Sequence, residues 1–424
     1  MDSRPADYID DFGRFIQASP SSYHAVAEAA RRLDVAGFTA LAETDEWNES
    51  TGKFYVLRDG AIIAWITPEG AHATTPFRIL GAHTDSPGFK LKPKPSLRSP
   101  QGWLQAGVEV YGGPLLNSWL DRELELAGRL VMTDGTEHLV RTGPFLRIPQ
   151  LAIHLDREVG HGLTLDRQRH TVPVYGIGSA ADGDVLGVLA SRAGVEPENI
   201  AGYDILTADT AAPARFGLDG TLFAAGRMDN LSSVHAGVVA LTDAEPTDHI
   251  VVLAAFDHEE LGSESRSGAS GPLLDDILTR IGAGLGASAA DRLRAYAASW
   301  CLSADAGHSI HPNYPEKHDP ANTPIMGQGP LLKINANQSY STDAQGAALW
   351  ARVCQAADVS YQEFVSNNGV PCGSTIGPLT ATRLGIRTLD VGVPLLSMHS
   401  ARELCHIADP PALSAAISSF YAGA

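Results

Sequence analysis

Strand-like and helix-like patterns alternate toward both ends of this chain and stop alternating in its middle, and that interruption limits its possible folds more than any other feature. Residues 5–35 place Tyr8, Phe12, Phe15, Ile16, Tyr23, Val26 and Leu33 at helical spacing, punctuated by Ser19-Pro20-Ser21-Ser22, which predicts two helices. Short apolar runs follow at Lys53–Leu57, Ala61–Ile66 and Phe77–Leu80, each bounded by Gly, Pro or Asp as strands are. From about residue 92 to 225 the texture changes. Pro93, Pro95 and Pro100 lead into strand-like runs at Val108–Tyr111, Leu126–Met132, Leu139–Arg141 and Val172–Tyr175, with little helical periodicity before 184–192. Alternation returns after Gly226, with helices predicted at Leu231–Leu241, 287–299 and Ala344–Ala357 and an apolar strand at His249–Phe256. The pattern reads as an α/β fold: a mixed central sheet flanked by helices, built from residues 1–91 and 226–424, with a mostly-β domain, 92–225, inserted between the two pieces. A length of 424 residues accommodates two such units.

Charge narrows the partners. With 31 Lys and Arg against 49 Asp and Glu, the formal net charge is −18, and no basic run exists to neutralise phosphates, so nucleic acid is excluded. No apolar run is long enough to span a bilayer, and the first residues carry no charged segment followed by an apolar one. Cys301, Cys354, Cys372 and Cys405 lie far apart without C-x-x-C spacing, which reads as reduced thiols. A cytoplasmic protein without membrane contact is expected.

The strongest chemical signal is Phe256-Asp257-His258-Glu259-Glu260-Leu261-Gly262, directly after the apolar run His249–Ala255. Adjacent carboxylates at a strand end point different ways, so one can bind a metal while the other faces a substrate water; taken alone, such a pair is more often just a solvated strand end. Other potential ligands sit in similar places. His83 and Asp85 form a His-x-Asp after Arg78–Ala82, a spacing that lets a carboxylate orient a metal-binding imidazole. Asp229 precedes a helix, where an ordinary N-cap is the competing explanation. Asp305 closes the run Trp300–Leu302, and His399 follows Thr388–Val393. Open α/β sheets gather ligands at the carboxyl ends of their strands, so these scattered positions can converge. Two imidazoles and three carboxylates suit two divalent ions of zinc type with one carboxylate bridging; cobalt and manganese are compatible with the same donors.

At this point the chain resembles the aspartyl aminopeptidase family of dinuclear metallo-aminopeptidases over nearly its whole length. The resemblance rests on separated strings: Ala82-His83-Thr84-Asp85-Ser86-Pro87, Tyr111-Gly112-Gly113, Leu120-Asp121-Arg122-Glu123-Leu124, Gly226-Arg227-Met228-Asp229-Asn230-Leu231, Asp257-His258-Glu259-Glu260, His311-Pro312-Asn313-Tyr314-Pro315-Glu316-Lys317-His318 and Met398-His399-Ser400-Ala401-Arg402-Glu403. It implies a metallo-exopeptidase-like fold whose inserted domain serves dimerisation. It also implies that Asp229 bridges the two metals, that Glu260 and His399 complete one, that His83 and Asp305 complete the other, that Asp85 orients His83, and that Glu259 is the general base. A cis peptide after the bridging Asp229 is expected on the same ground.

Peptides with acidic N-termini are the substrates the resemblance implies. In so acidic a protein, attracting them requires a local cation, and Lys333, which interrupts the run Leu331-Leu332-Lys333-Ile334, is the candidate; a surface lysine is the competing reading. His154, in Leu151-Ala152-Ile153-His154-Leu155, matches a stretch that in the family reaches a neighbouring subunit's active site, with a buried strand histidine as the alternative. The family forms closed homo-oligomers of dimers, up to a dodecamer. Two departures stand out: Asp305 is followed by Ala-Gly-His rather than Met-Ala-His, and Ser339 stands where a basic residue is common. Other readings are a bimetal deacylase or carboxypeptidase, which the same activated water could serve, and a peptide-binding scaffold with little turnover.

Overall fold

A computed structural model describes residues 5–178 and 183–424. Two helices, Pro5–Ala18 and Ser22–Val35, open the chain, and the Ser21 side chain caps the second by accepting from the His24 N–H. Among the described residues nine strands form one sheet, in the order 39–40, 52–58, 61–67, 250–256, 77–83, 300–304, 387–392, 331–334, 362–365. Four neighbours at its centre, Ile250–Phe256, Phe77–His83, Trp300–Ala304 and Arg387–Gly392, run parallel, so their carboxyl ends emerge along one edge. In register, Phe256 lies beside His83 and Ala304 beside Val391.

The strand Ile250–Phe256 is buried throughout, and its alternation explains why. Val251, Leu253 and Ala255 point into one core, with Leu33, Val234, Leu241, Leu389 and Phe420; Ile250, Val252, Ala254 and Phe256 point into another, with Ile79, Ile277, Leu278, Tyr296 and Ile376. Helices Met228–Thr242 and Asp409–Tyr421 contribute to the first layer, and Leu273–Gly284, Ala289–Ala298 and Ile376–Leu384 to the second. A central strand covered on both faces must be apolar at every position. Truncating a buried leucine such as Leu253 to alanine would cost about 2–5 kcal/mol.

Six antiparallel strands form a second sheet, in the order 137–141, 124–132, 200–209, 88–98, 103–111, 174–177. Its inner face packs Phe89, Leu126, Leu130 and Ile205 against Val185 and Leu189 of the helix Val185–Ala193. The hairpin 214–216 and 222–225 pairs instead with Glu403–His406, which follows His399. No described helix is long and apolar enough to cross a membrane.

Candidate metal centre

The four parallel strand ends supply the side chains named from the sequence. His83 ends its strand, Glu259 and Glu260 form the short turn after Phe256, Asp305 follows Ala304, and His399 lies in the loop after Arg387–Gly392. Asp229 comes from the first turn of Met228–Thr242 across the opening, and its peptide bond to Asn230 is cis, as expected. Four non-glycine residues at or within two positions of these side chains adopt left-handed backbone, Arg227 (φ 61°), His258 (φ 63°), Ser397 (φ 58°) and His399 itself (φ 65°). Such conformations are uncommon for residues with a Cβ and concentrate where a site dictates the backbone.

Asp229 stands between the two imidazoles. Its Oδ1 is 3.4 Å from His83 Nε2 and its Oδ2 is 3.2 Å from His399 Nε2. On the first side, His83 Nε2 is also 3.4 Å from Asp305 Oδ1 and 4.0 Å from Glu259 Oε2. On the second, His399 Nε2 is 3.4 Å from Glu260 Oε2. Donor atoms of His83, Asp229 and Glu260 all lie within 4.8 Å of one another. The structure therefore brings His83, Asp229, Glu259, Glu260, Asp305 and His399 into one cluster.

Each imidazole is aimed by its other nitrogen. His83 Nδ1 donates to the Asp85 carbonyl at 3.1 Å, with Asp85 Oδ1 at 3.4 Å, and His399 Nδ1 donates to the Gly113 carbonyl at 3.0 Å, leaving both Nε2 lone pairs facing the acids. Asp85 does more than orient His83. Its Oδ1 accepts the Glu259 N–H at 3.0 Å, and its Oδ2 accepts the Glu260 N–H at 3.2 Å and the Tyr111 hydroxyl at 2.9 Å. Glu403 plays the matching part across the centre, accepting the N–H of Asp229 at 3.0 Å and that of His399 at 2.9 Å. Tyr111, Gly113 and Glu403 carry no site signal of their own in the sequence beyond their place in the matching strings.

The donors fit divalent cations. Asp229 Oδ1 and Glu260 Oε1 are buried without a hydrogen-bond partner, which is costly unless a positive charge sits beside them. Burial, together with the Asp229 charge, pushes the Glu260 carboxyl well up, and pushes Glu403 up to about 8. Burial likewise raises Glu259 to about 7, against the pull of His83 and with the push of Asp305 and Asp229. Asp229 goes the other way: burial opposes it, but hydrogen bonds to His399 and His83 hold it well below the usual carboxylate range. Burial also opposes protonation of His399, yet Asp229 and Glu260 raise it to about 10. Nitrogen and oxygen donors without a thiolate suit zinc, cobalt or manganese.

Lys333 is 1% exposed, which removes the surface-lysine reading. Its Nζ is 3.4 Å from Asp305 Oδ2 and 5.2 Å from the centre of the Tyr340 ring. A cavity of about 240 Å³ opens at the cluster, and Lys333, His308 and Tyr340 line it with Asp229, Glu259 and His399. His154 is not among its lining residues; it is exposed in a turn rather than buried in a strand, between exposed Leu151, Ile153 and Leu155.

Comparison with known proteins follows the same lines. The aminopeptidase I zinc metalloprotease family (M18) matches residues 15–421. A probable M18 family aminopeptidase 2 of Streptomyces coelicolor is 54% identical over 420 residues, 97% of each chain. Among solved structures, one described as the Ape4 and Nbr1 complex superposes with a TM-score of 0.94 at 35% identity, covering 98% of this chain and 86% of its own. The mApe1 dodecamer of S. cerevisiae gives a TM-score of 0.86 at 29% identity, covering 98% and 96%.

Proposed function

The chain belongs to the M18 family of zinc aminopeptidases, and from that premise we propose that it removes N-terminal Asp and Glu from peptides at a centre of two divalent ions. The observation that carries this reading is Asp229, whose two oxygens face different imidazoles at 3.4 and 3.2 Å. His83, Asp305 and one Asp229 oxygen would hold one ion; His399, Glu260 and the other oxygen would hold the second. Zinc is the metal in the family's description, with cobalt and manganese compatible. When bound, such a pair polarises the scissile carbonyl and acidifies a water. Glu259 takes the water's proton at its carboxylate and hands it to the departing amine nitrogen. Asp85 and Glu403 keep His83, His399 and the Glu259–Glu260 turn in place. Lys333 receives the acidic side chain, with His308 and Tyr340 shaping the cavity around it.

Glu259→Gln tests the centre: kcat should fall about 10²–10⁴-fold while elemental analysis finds the metal content unchanged. Chelation should abolish wild-type turnover, and added zinc should restore it. Full activity in the Gln variant would remove Glu259 from its role.

The solved dodecamer among the similar structures supports a homo-oligomer here, assembled from dimers through the domain 92–225, with His154 reaching a neighbour's centre. Cys301, Cys354, Cys372 and Cys405 are free thiols, which supports a cytoplasmic location.

A further inference from the structure

A second cavity lies against the first. It too measures about 240 Å³, and it shares His308, Tyr340 and Gly373 with the cavity at the centre. His308 meets the Phe364 ring edge-on at 6.2 Å between centroids, and Tyr340 approaches the same ring at 6.3 Å. The partition is thus a packed aromatic cluster. Buried Phe364 and Leu395 and exposed Val370 and Pro371 give the second cavity apolar surface, and His311, Lys317 and His318 give it polar groups. Among the described residues no Asp or Glu lines this cavity, although the chain holds 49 of them and a net charge of −18. A lysine in a lining without acids offers an anion a local partner that the neighbouring carboxylate cluster does not.

The fixed positive charge in this lining is that of Lys317. His318 Nε2 accepts the His311 N–H at 3.0 Å and His311 Nδ1 accepts the Asn313 N–H at 3.1 Å, so one nitrogen of each ring is engaged within the loop. One loop borders both cavities, with Asn367, Val370 and Pro371 on the second, Gly373 on both, and Ser374 and Thr375 on the first. A peptide that followed that loop away from the centre would reach the second cavity.

We infer that this cavity takes the peptide beyond the scissile bond: a large apolar side chain at the second residue, followed by an anionic group, either another acidic residue or a free C-terminal carboxylate, held by Lys317. The inference rests on the aminopeptidase reading, because it requires the first side chain to lie in the neighbouring cavity with Lys333. Burial of the second side chain against Phe364 and Val370 favours Phe or Leu over Gly, and Lys317 favours the acid over its amide.

The peptides Asp-Gly-Ala and Asp-Phe-Ala, each with a free carboxylate and as the C-terminal amide, test this on the assembled, metal-loaded enzyme. Wild type should turn over Asp-Phe-Ala with a kcat/KM about tenfold above that of Asp-Gly-Ala. Val370→Trp places a bulkier side chain in the cavity from a position that is 39% exposed, where the fold tolerates it. It should penalise Asp-Phe-Ala about tenfold more than Asp-Gly-Ala. Lys317→Gln should narrow the acid-over-amide ratio. Equal losses on both peptides, no Phe preference in wild type, or a shift in first-residue preference with Val370→Trp would overturn the assignment. Calorimetric affinities of the same peptides for Glu259→Gln should show the same Phe-over-Gly ordering; this reads the cavity without turnover, whereas wild-type hydrolysis of Asp-Gly-Ala reads the aminopeptidase assignment separately.

Discussion

Lys333 stands between two partners: the Asp305 carboxylate at 3.4 Å and the open cavity it lines. If it meets an acidic side chain there, Lys333→Ala removes a charged hydrogen bond. It should then lower kcat/KM for Asp-anilide relative to Leu-anilide by about 1.5–3 kcal/mol, a factor of roughly ten to a hundred. An equal loss on both substrates would show that Lys333 serves only to hold Asp305. The ligand-like residues are legible because they follow apolar runs or, for Asp229, lie beside a glycine-containing turn before a helix, places visible in the chain itself. Tyr111, Gly113, Glu403 and His308 are not, because the Tyr111 hydroxyl, the main-chain contacts of Gly113 and Glu403 and the cavity wall at His308 find their partners only after distant segments meet. Lys333 could be named from the apolar run it interrupts, but its ion pair with Asp305 could not.

Three helices are fastened at one carboxylate. Asp11 of Pro5–Ala18 accepts from Arg32 of Ser22–Val35 at 2.7 Å and pairs with His235 of Met228–Thr242 at 2.9 Å. Burial would raise the Asp11 carboxyl, but hydrogen bonds from His235 and Arg32 prevail and hold it well below its ordinary range. A folded-state pKa below the unfolded one means that the stabilisation is fully present above the ordinary carboxylate range and is lost as pH falls through the folded value. Asp11→Asn should therefore lower the Tm at pH 7 and flatten its decline in acid, as read by thermal unfolding across pH. Strand packing offers a second test. A Cβ on Gly392 would lie 1.7 Å from the Asp305 carbonyl oxygen, so Gly392→Ala forces apart the strand and the loop that carries Asp305. Destabilisation beyond the usual overpacking cost of about 1–3 kcal/mol, together with reduced metal content, is the expected result. The long periodic helices and the apolar central strands were legible. Leu273–Gly284, Ile376–Leu384 and Asp409–Tyr421 are absent from the predicted helices; each has proline at or near its start, Pro272, Pro378 and Pro410-Pro411, where the missing N–H costs the helix little.

At the scale of the whole molecule, Leu151 (58%), Ile153 (53%) and Leu155 (75%) expose apolar side chains around His154, which a lone subunit gains nothing by displaying. If they are covered by a neighbour, Leu151→Asp with Leu155→Asp should yield slowly sedimenting species, and activity should fall with the loss of assembly. A fully active monomer in the ultracentrifuge would refute the arrangement. In sequence these residues look like core, which is why an alternating pattern could suggest a strand there but not its exposure. The second sheet also touches the metal centre from both sides, through Tyr111 to Asp85 and through Gly113 to His399. Until that middle portion of a newly made chain has closed onto the rest, the His399 ring is untethered and the Asp85 bracket is unfinished. The pocket for the ions is thus a joint product of segments far apart in the chain, and its donors take their places only where the two sheets meet.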